Sequence, residues 1–157
     1  MISIADITNE LAVALFRAIS RHNIHFVAGT IPYDPPSRHK AVNALLYGSP
    51  LLSHSNRRRI NFCNYEATKI FGKTIDEMLG MPSDELAPDV DNIREDRASY
   101  LKESLKDPVH LSNARRWQWQ PDGGKKEILI DATVFPYEYK GIISSAASIT
   151  LKGYYQP

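Results

Sequence analysis

The stretch that most restricts how this chain can fold lies in its last third, "ARRWQWQPDGGKKEILIDATVFPYEYKGIISSAASI", residues 114–149. "ARRWQWQ" alternates and sets Trp117 and Trp119 on one face. In "KEILIDATVF", Ile128, Ile130, Ala132 and Val134 share one side, while Leu129 and Phe135 share the other with Asp131 and Thr133. A period of two is that of a β-strand, whose successive side chains point to opposite faces. "PDGG" supplies the turn chemistry between the first two runs, and "PYEYKG" supplies the second reversal. "IISSAASI" carries small residues suited to close packing against helices. Together these predict three consecutive antiparallel strands, whose apolar face needs a cover.

The residues before the meander provide one. "LLSH" at 51–54 is a first strand, and residues 51–63 hold a strand pair. "NYEATKIFG" then gives a short helix closed by Gly72. In "KTIDEMLGMP", Thr74 and Glu77 have capping-box spacing, Ile75, Met78 and Leu79 supply the apolar side, and Gly80 with Pro82 ends the turn. "SDEL" is a further single turn. "NIREDRASYLKESLKDP" is longer: Asn92 and Glu95 form a second possible box, Ala98, Leu101 and Leu105 have the buried spacing, and Pro108 lies just past the end. The order of strand pair, short helices, longer helix and three-strand meander makes the class α+β.

Upstream, residues 4–20 have helical periodicity, with Ile4, Ile7, Leu11, Ala14 and Ala18 on one stripe that Leu15, Phe16 and Ile19 widen. So broad a stripe must be covered by the chain's own domain or by a partner. Pro32, Pro35 and Pro36 then exclude a continuing helix and stiffen a connector over 23–40. Because that connector limits how closely the arm folds back, we expect a homodimer with Ile4, Ile7, Leu11 and Leu15 at the contact. From Lys40 a short helix runs to about Tyr47.

Nineteen basic against 18 acidic residues give a formal charge of +1, which does nothing to draw the whole protein to phosphate backbones or anionic lipid. A single cysteine forms no internal disulfide and fits a reducing compartment. Asp6 and Glu10 sit where a signal peptide needs positive charge and an unbroken apolar run, and no stretch approaches bilayer-spanning length. A cytoplasmic protein without membrane contact is expected.

Three chemistries compete over "RRRINFCNYEATKIFG", residues 57–72. Arg57, Arg58 and Arg59 would join a nucleic-acid contact if Arg115 and Arg116, with Trp117 between them and Lys125 and Lys126, continued the basic stripe. A solvated turn before a strand is the plainer account. Cys63 would serve as a nucleophile only with a lowered pKa and a base such as His54 and an acid such as Asp131 within reach. Alternation turns Cys63 and Phe62 to opposite faces, and a lone cysteine is more commonly a buried apolar filler. His22 and His25 lack companions for a zinc pattern, and no metal site is expected. The acids between Asp84 and Asp96 gather at helix starts, where helix electrostatics accounts for them. Asp131 breaks an apolar strand: inward it must find a polar partner, outward it solubilises the sheet.

The segments "LLSH" (51–54), "INFCNYEATKIFG" (60–72), "IREDRASYL" (93–101), "GGKKEILIDATVF" (123–135) and "GIISSAASI" (141–149) resemble, in register, the MEKHLA family, a PAS-like group found alone in bacterial proteins and at the C-terminus of some plant homeodomain–leucine zipper regulators. The resemblance covers roughly residues 41–150. It departs at Cys63, where a small alanine is common, and after Ile149, where "TLKGYYQP" replaces an aromatic ending.

It implies a PAS-like five-stranded antiparallel sheet with short helices on one face, preceded by the N-terminal helix. The division is then 1–22 helix, 23–40 connector, 41–152 domain and 153–157 tail. Asn64 would cap the helix after the second strand, with Gly72 and Gly80 structural. The implied role is non-enzymatic small-molecule sensing, regulatory through homodimerisation and a protein partner. Phe62, Phe71, Met78, Leu79, Trp117, Ile130 and Asp131 are the expected pocket lining. Haem is not indicated, since His110 alone stands where relatives place an axial ligand. Flavin is not indicated either, because the cysteine-bearing helix motif of light sensors is absent from "NYEATKIFG".

Overall fold

The computed structural model describes residues 2–29 and 39–157; Pro32, Pro35 and Pro36 of the expected connector lie outside the described residues. The elements are α1 (Asn9–Arg21), α2 (Lys40–Leu46), β1 (Leu51–His54), β2 (Ile60–Cys63), α3 (Tyr65–Phe71), α4 (Ile75–Met78), α5 (Ile93–Glu103), β3 (Val109–Trp119), β4 (Lys125–Tyr139) and β5 (Ile142–Tyr154). Single 3₁₀ turns stand at Ile4–Asp6 and Ser83–Leu86. All strands join one antiparallel sheet in the order β2-β1-β5-β4-β3.

The strands run further than their alternation signalled. β4 passes through Pro136 to Tyr139, so the reversal is made by Lys140 (φ 52°) and Gly141 (φ 76°) and not by the whole of "PYEYKG". Proline is tolerated there because β3 pairs with β4 only as far as Val109 opposite Val134, which leaves the outer edge of Pro136 without a ladder partner. β3 begins at Val109 and carries a bulge between Leu111 and Ala114, with Asn113 at φ 52°. Asp131 accepts a hydrogen bond from Asn113 N at 2.9 Å and so holds the bulge. β5 continues to Tyr154, and Tyr155 N donates to Glu127 O at 3.0 Å, so most of the expected tail belongs to the sheet.

The helix boundaries also shift. α1 starts at Asn9, because Thr8 takes an extended conformation and its hydroxyl accepts from Leu11 N at 3.1 Å. Ile4 N donates to Asp76 at 2.7 Å and fastens the leading turn to α4. Asn92 lies at φ 60° and makes no side-chain cap, so the second capping box does not form. Residues 24–29 lie along the domain: Val27 exchanges backbone and hydroxyl bonds with Ser49, and Gly29 N reaches Ala44 O at 2.8 Å.

The N-terminal stripe is covered within the chain. Ile7, Leu11 and Leu15 are buried as α1 packs on β4 and α2, and Thr8 Oγ1 lies 3.1 Å from the Tyr139 hydroxyl. Ile4 is partly buried against the same core. The residues expected at a dimer contact are thus committed to the chain's own sheet, with residues 24–29 laid back along the domain.

Asn64 organises the junction between the strand pair and the helices. Its Oδ1 accepts from Ala67 N and from Leu51 N, each at 3.1 Å, while its Nδ2 donates to Leu45 O at 2.9 Å. At the far end of α3, Gly72 stands at φ 75°, and a Cβ there would fall 2.0 Å from the Trp119 carbonyl oxygen. Only glycine allows that approach of α3 to β3.

Candidate functional site

Register divides the sheet into two faces. Ala114 opposite Ile130 and Arg116 opposite Ile128 set β3's even residues beside Ala132 and Val134 of β4. Ala147 stands opposite Val134 and also opposite Leu52, which continues that face across β5 and β1. Between this face and α5 lies a cavity of about 40 Å³. Its walls are mostly apolar, including Leu52, Phe71, Leu101, Ile130, Val134 and Ile149.

Five polar side chains, His54, Arg97, Tyr100, Arg116 and Ser145, enter those walls. His54, at the end of β1, is 6% exposed, and its Nδ1 is 3.0 Å from Ser55 O. A carbonyl only accepts, so Nδ1 carries the proton and Nε2 is left as an acceptor. That Nε2 is buried and has no hydrogen-bond partner among the described residues. Burial, reinforced by Arg97 and Arg58 and opposed by the Ser55 bond and Asp84, lowers the His54 pKa to about 4. The ring is therefore neutral at physiological pH.

Arg97 projects from α5 and Arg116 from β3, and they are 5% and 6% exposed. Arg97 is bonded to Asp84, which Arg58 also approaches at 3.7 Å; burial lowers the Arg97 pKa from its ordinary value. Arg116 donates to Arg115 O at 2.7 Å and to the Tyr100 hydroxyl. Tyr100 completes the polar group from α5.

Of the residues expected to line a pocket, Phe71 and Ile130 do so. Phe62 pairs with Ser53 in the row of Ala146 and Phe135, on the face that α1 covers. Met78 and Leu79 are core residues away from the cavity. Trp117 stands opposite Glu127, on the other face from Arg116, with Lys125 Nζ 4.6 Å from its ring centre. Asp131 also points outward, to Asn113 and to Lys152 at 3.7 Å.

The competing chemistries find no geometry. Cys63 is fully buried, burial pushes its pKa up to about 12, and its thiol faces Asn64 O at 3.6 Å. Asp131 is turned away to the bulge, so the Cys63–His54–Asp131 grouping does not assemble. Arg59 donates to Gly80 O, Arg115 is held by Glu127 and Asp91, and Arg116 is internal, so the two arginine clusters form no continuous stripe. His110 stands exposed on β3, its Nδ1 3.0 Å from Thr133 Oγ1. Among the described residues no cluster of His, Cys, Asp or Glu has metal-binding geometry, and no helix is long and apolar enough to cross a membrane.

Arg97 and Tyr100 are cavity residues that no sequence motif marked, and His54 and Arg116, expected as a base for Cys63 and as part of a basic stripe, line the cavity instead. The available signal was spacing: Arg97 lies four residues before Leu101, on the same helical stripe, and Arg116 lies two after Ala114 on one strand face.

Among solved structures, a PAS domain from Colwellia psychrerythraea superposes with a TM-score of 0.53 at 13% identity, over 66% of this chain and 86% of that one. The PAS domain of nitrogen regulation protein NR(II) from Vibrio parahaemolyticus gives 0.52 at 14%, over 66% and 88%. The Drosophila melanogaster Cycle PAS-B domain with bound ethylene glycol gives 0.52 at 16%, over 66% and 99%. No family model and no curated protein matches the chain. The fold is the PAS fold: a five-stranded antiparallel sheet with short helices across one face and, here, an N-terminal helix on the other.

Proposed function

We propose that this chain is a non-enzymatic sensory and regulatory module whose signal is a small molecule bound between the sheet and α5. The observation that carries the reading is the cavity itself, lined mostly by apolar side chains and by His54, whose buried Nε2 has no hydrogen-bond partner among the described residues. Buried polar atoms in folded proteins nearly always have a partner, and an orphaned acceptor on a cavity-lining residue marks a place for one. The PAS neighbours support the class, and the segments that resemble the MEKHLA group support placing the chain with it. Those segments fall on β1, on β2 and α3, on α5, and on β4 and β5.

The same reading assigns the module to the cytoplasm, where its one thiol stays reduced and buried in the core. Ile4, Ile7, Leu11 and Leu15 receive no role in pairing, since their burial supports an arm that belongs to the monomer. The regulatory output then travels through α5, which carries two of the cavity's polar groups on one side and faces solvent on the other.

A screen of small fragments by thermal unfolding tests the proposal. A ligand at a hundred times its Kd stabilises the folded state by about 2.7 kcal/mol. Filling the cavity with Ala147→Leu is expected to abolish that stabilisation. Fragments that stabilise the filled variant equally would place binding elsewhere and overturn the reading.

A further inference from the structure

The polar groups of the cavity specify more than the presence of a ligand. Among the described residues no acidic side chain lines it. Among the described residues Arg116, 6% exposed, has only an amide carbonyl and a phenol as partners, neither carrying charge opposite to its own. Arg97 has a carboxylate, Asp84, but shares it with Arg58. A buried cation without a counter-ion is unfavourable, and the missing charge is negative. His54 asks for something different, because its neutral Nε2 accepts and must be met by a hydrogen-bond donor. With two guanidinium groups at the same cavity, a cationic donor is repelled and a hydroxyl is not. The volume of about 40 Å³ holds roughly three water molecules, so the ligand has only a few heavy atoms.

We propose that the cavity binds a short hydroxycarboxylate, its carboxylate against Arg97 and Arg116 and its hydroxyl donating to His54 Nε2. Leu52, Val134 and Ile149 enclose its carbon atoms. The inference rests on the small-molecule reading given above and names the class of molecule.

Titration of the full chain, followed by calorimetry and by methyl NMR of Ala132, Val134 and Ile149, tests it with four probes: glycolate, acetate, ethylene glycol and sodium nitrate. Glycolate is expected to bind saturably, and acetate, lacking the hydroxyl, about tenfold more weakly. Ethylene glycol, lacking the charge, is expected to bind more weakly than acetate, and nitrate to leave the methyl signals unchanged. Arg116→Gln should lower glycolate affinity at least tenfold, and His54→Phe should reduce glycolate to the affinity of acetate. Should either variant fail to fold, the ligand series on the unaltered chain still decides. Equal binding of glycolate and acetate would overturn the hydroxyl assignment. Nitrate acting like glycolate would overturn the carboxylate. Response to ethylene glycol alone would overturn the anion and keep the pocket, while silence to every probe would overturn both.

Discussion

The two faces of the sheet are built from the same strands, yet they treat polar atoms in opposite ways. On the face beneath α1, Asn61 Nδ2 donates to the Tyr137 hydroxyl at 2.8 Å, and that hydroxyl donates to His54 O at 2.8 Å. Ser144 Oγ donates to the same carbonyl at 2.6 Å, and Ser53 Oγ bonds Asn61 Oδ1. Leu11, Leu15 and Phe135 are buried on the same side. On the face beneath α5, Nε2 of the same His54 has no partner among the described residues, Arg97 shares the Asp84 carboxylate with Arg58, and the buried Arg116 bonds the neutral Arg115 O and Tyr100 hydroxyl. A satisfied network fixes a core, whereas an unsatisfied one carries an unfavourable free energy that a ligand can remove. The first face is built for stability and the second for occupancy.

The sharpest way to break this contrast is through α1. Leu15 is fully buried, so Leu15→Ala should cost about 2–5 kcal/mol in denaturant unfolding. A loss under 1 kcal/mol would mean that the arm does not dock on the sheet in solution. Asn64→Ala removes the cap of α3 and strands Leu51 N, and a loss of about 2–3 kcal/mol is expected from the same melts.

Acid should separate the faces as well. The folded-state pKa of His54 is lowered to about 4 from the ordinary value of 6.5, so between those values the unfolded chain binds the extra proton. Stability is then full above pH 6.5 and falls as pH drops towards 4, by about 3 kcal/mol at most. Replacing His54 by Phe should flatten that limb of the stability-versus-pH curve. An unchanged limb would assign acid sensitivity to other groups.

The smallest stability change is expected at Arg116. Exchanging a buried charge for an apolar side chain of similar length is often neutral or stabilising, so Arg116→Met should stay within about 1 kcal/mol of the parent, or exceed it. A large loss would show the guanidinium to be structural, and the two faces would then be alike.

How much of this was written in the sequence depends on phase. The alternation of Ile128, Ile130, Ala132 and Val134 placed β4 correctly, because a strand between two neighbours shows its period over many residues. Asn64, with an apolar helix after it and a strand before it, was equally legible as a cap. β3 was harder: "ARRWQWQ" alternates in either phase, and its tryptophans drew the core assignment to the wrong face. A one-residue change of phase reverses every side chain on a strand. The bulge at Asn113, held by the distant Asp131, sets that phase and leaves no local signal. On α5 the apolar spacing points to a stripe through Ala98 and Leu105, but Leu105 lies beyond the helix and is exposed, while Arg97 takes the inward position. A buried arginine looks like a surface residue until its acceptors, here Asp84 and Tyr100 for the pair, are brought together by the fold.

The most direct test of the contrast is a methyl-resolved NMR titration of the full chain with a library of small polar fragments, following both faces in one spectrum. The expected result is that Leu52, Ala132, Val134 and Ile149 shift together and saturably while Leu11 and Leu15 stay in place. Shifts centred on Leu11 and Leu15, or a spectrum in which no cavity methyl responds to any fragment, would contradict it.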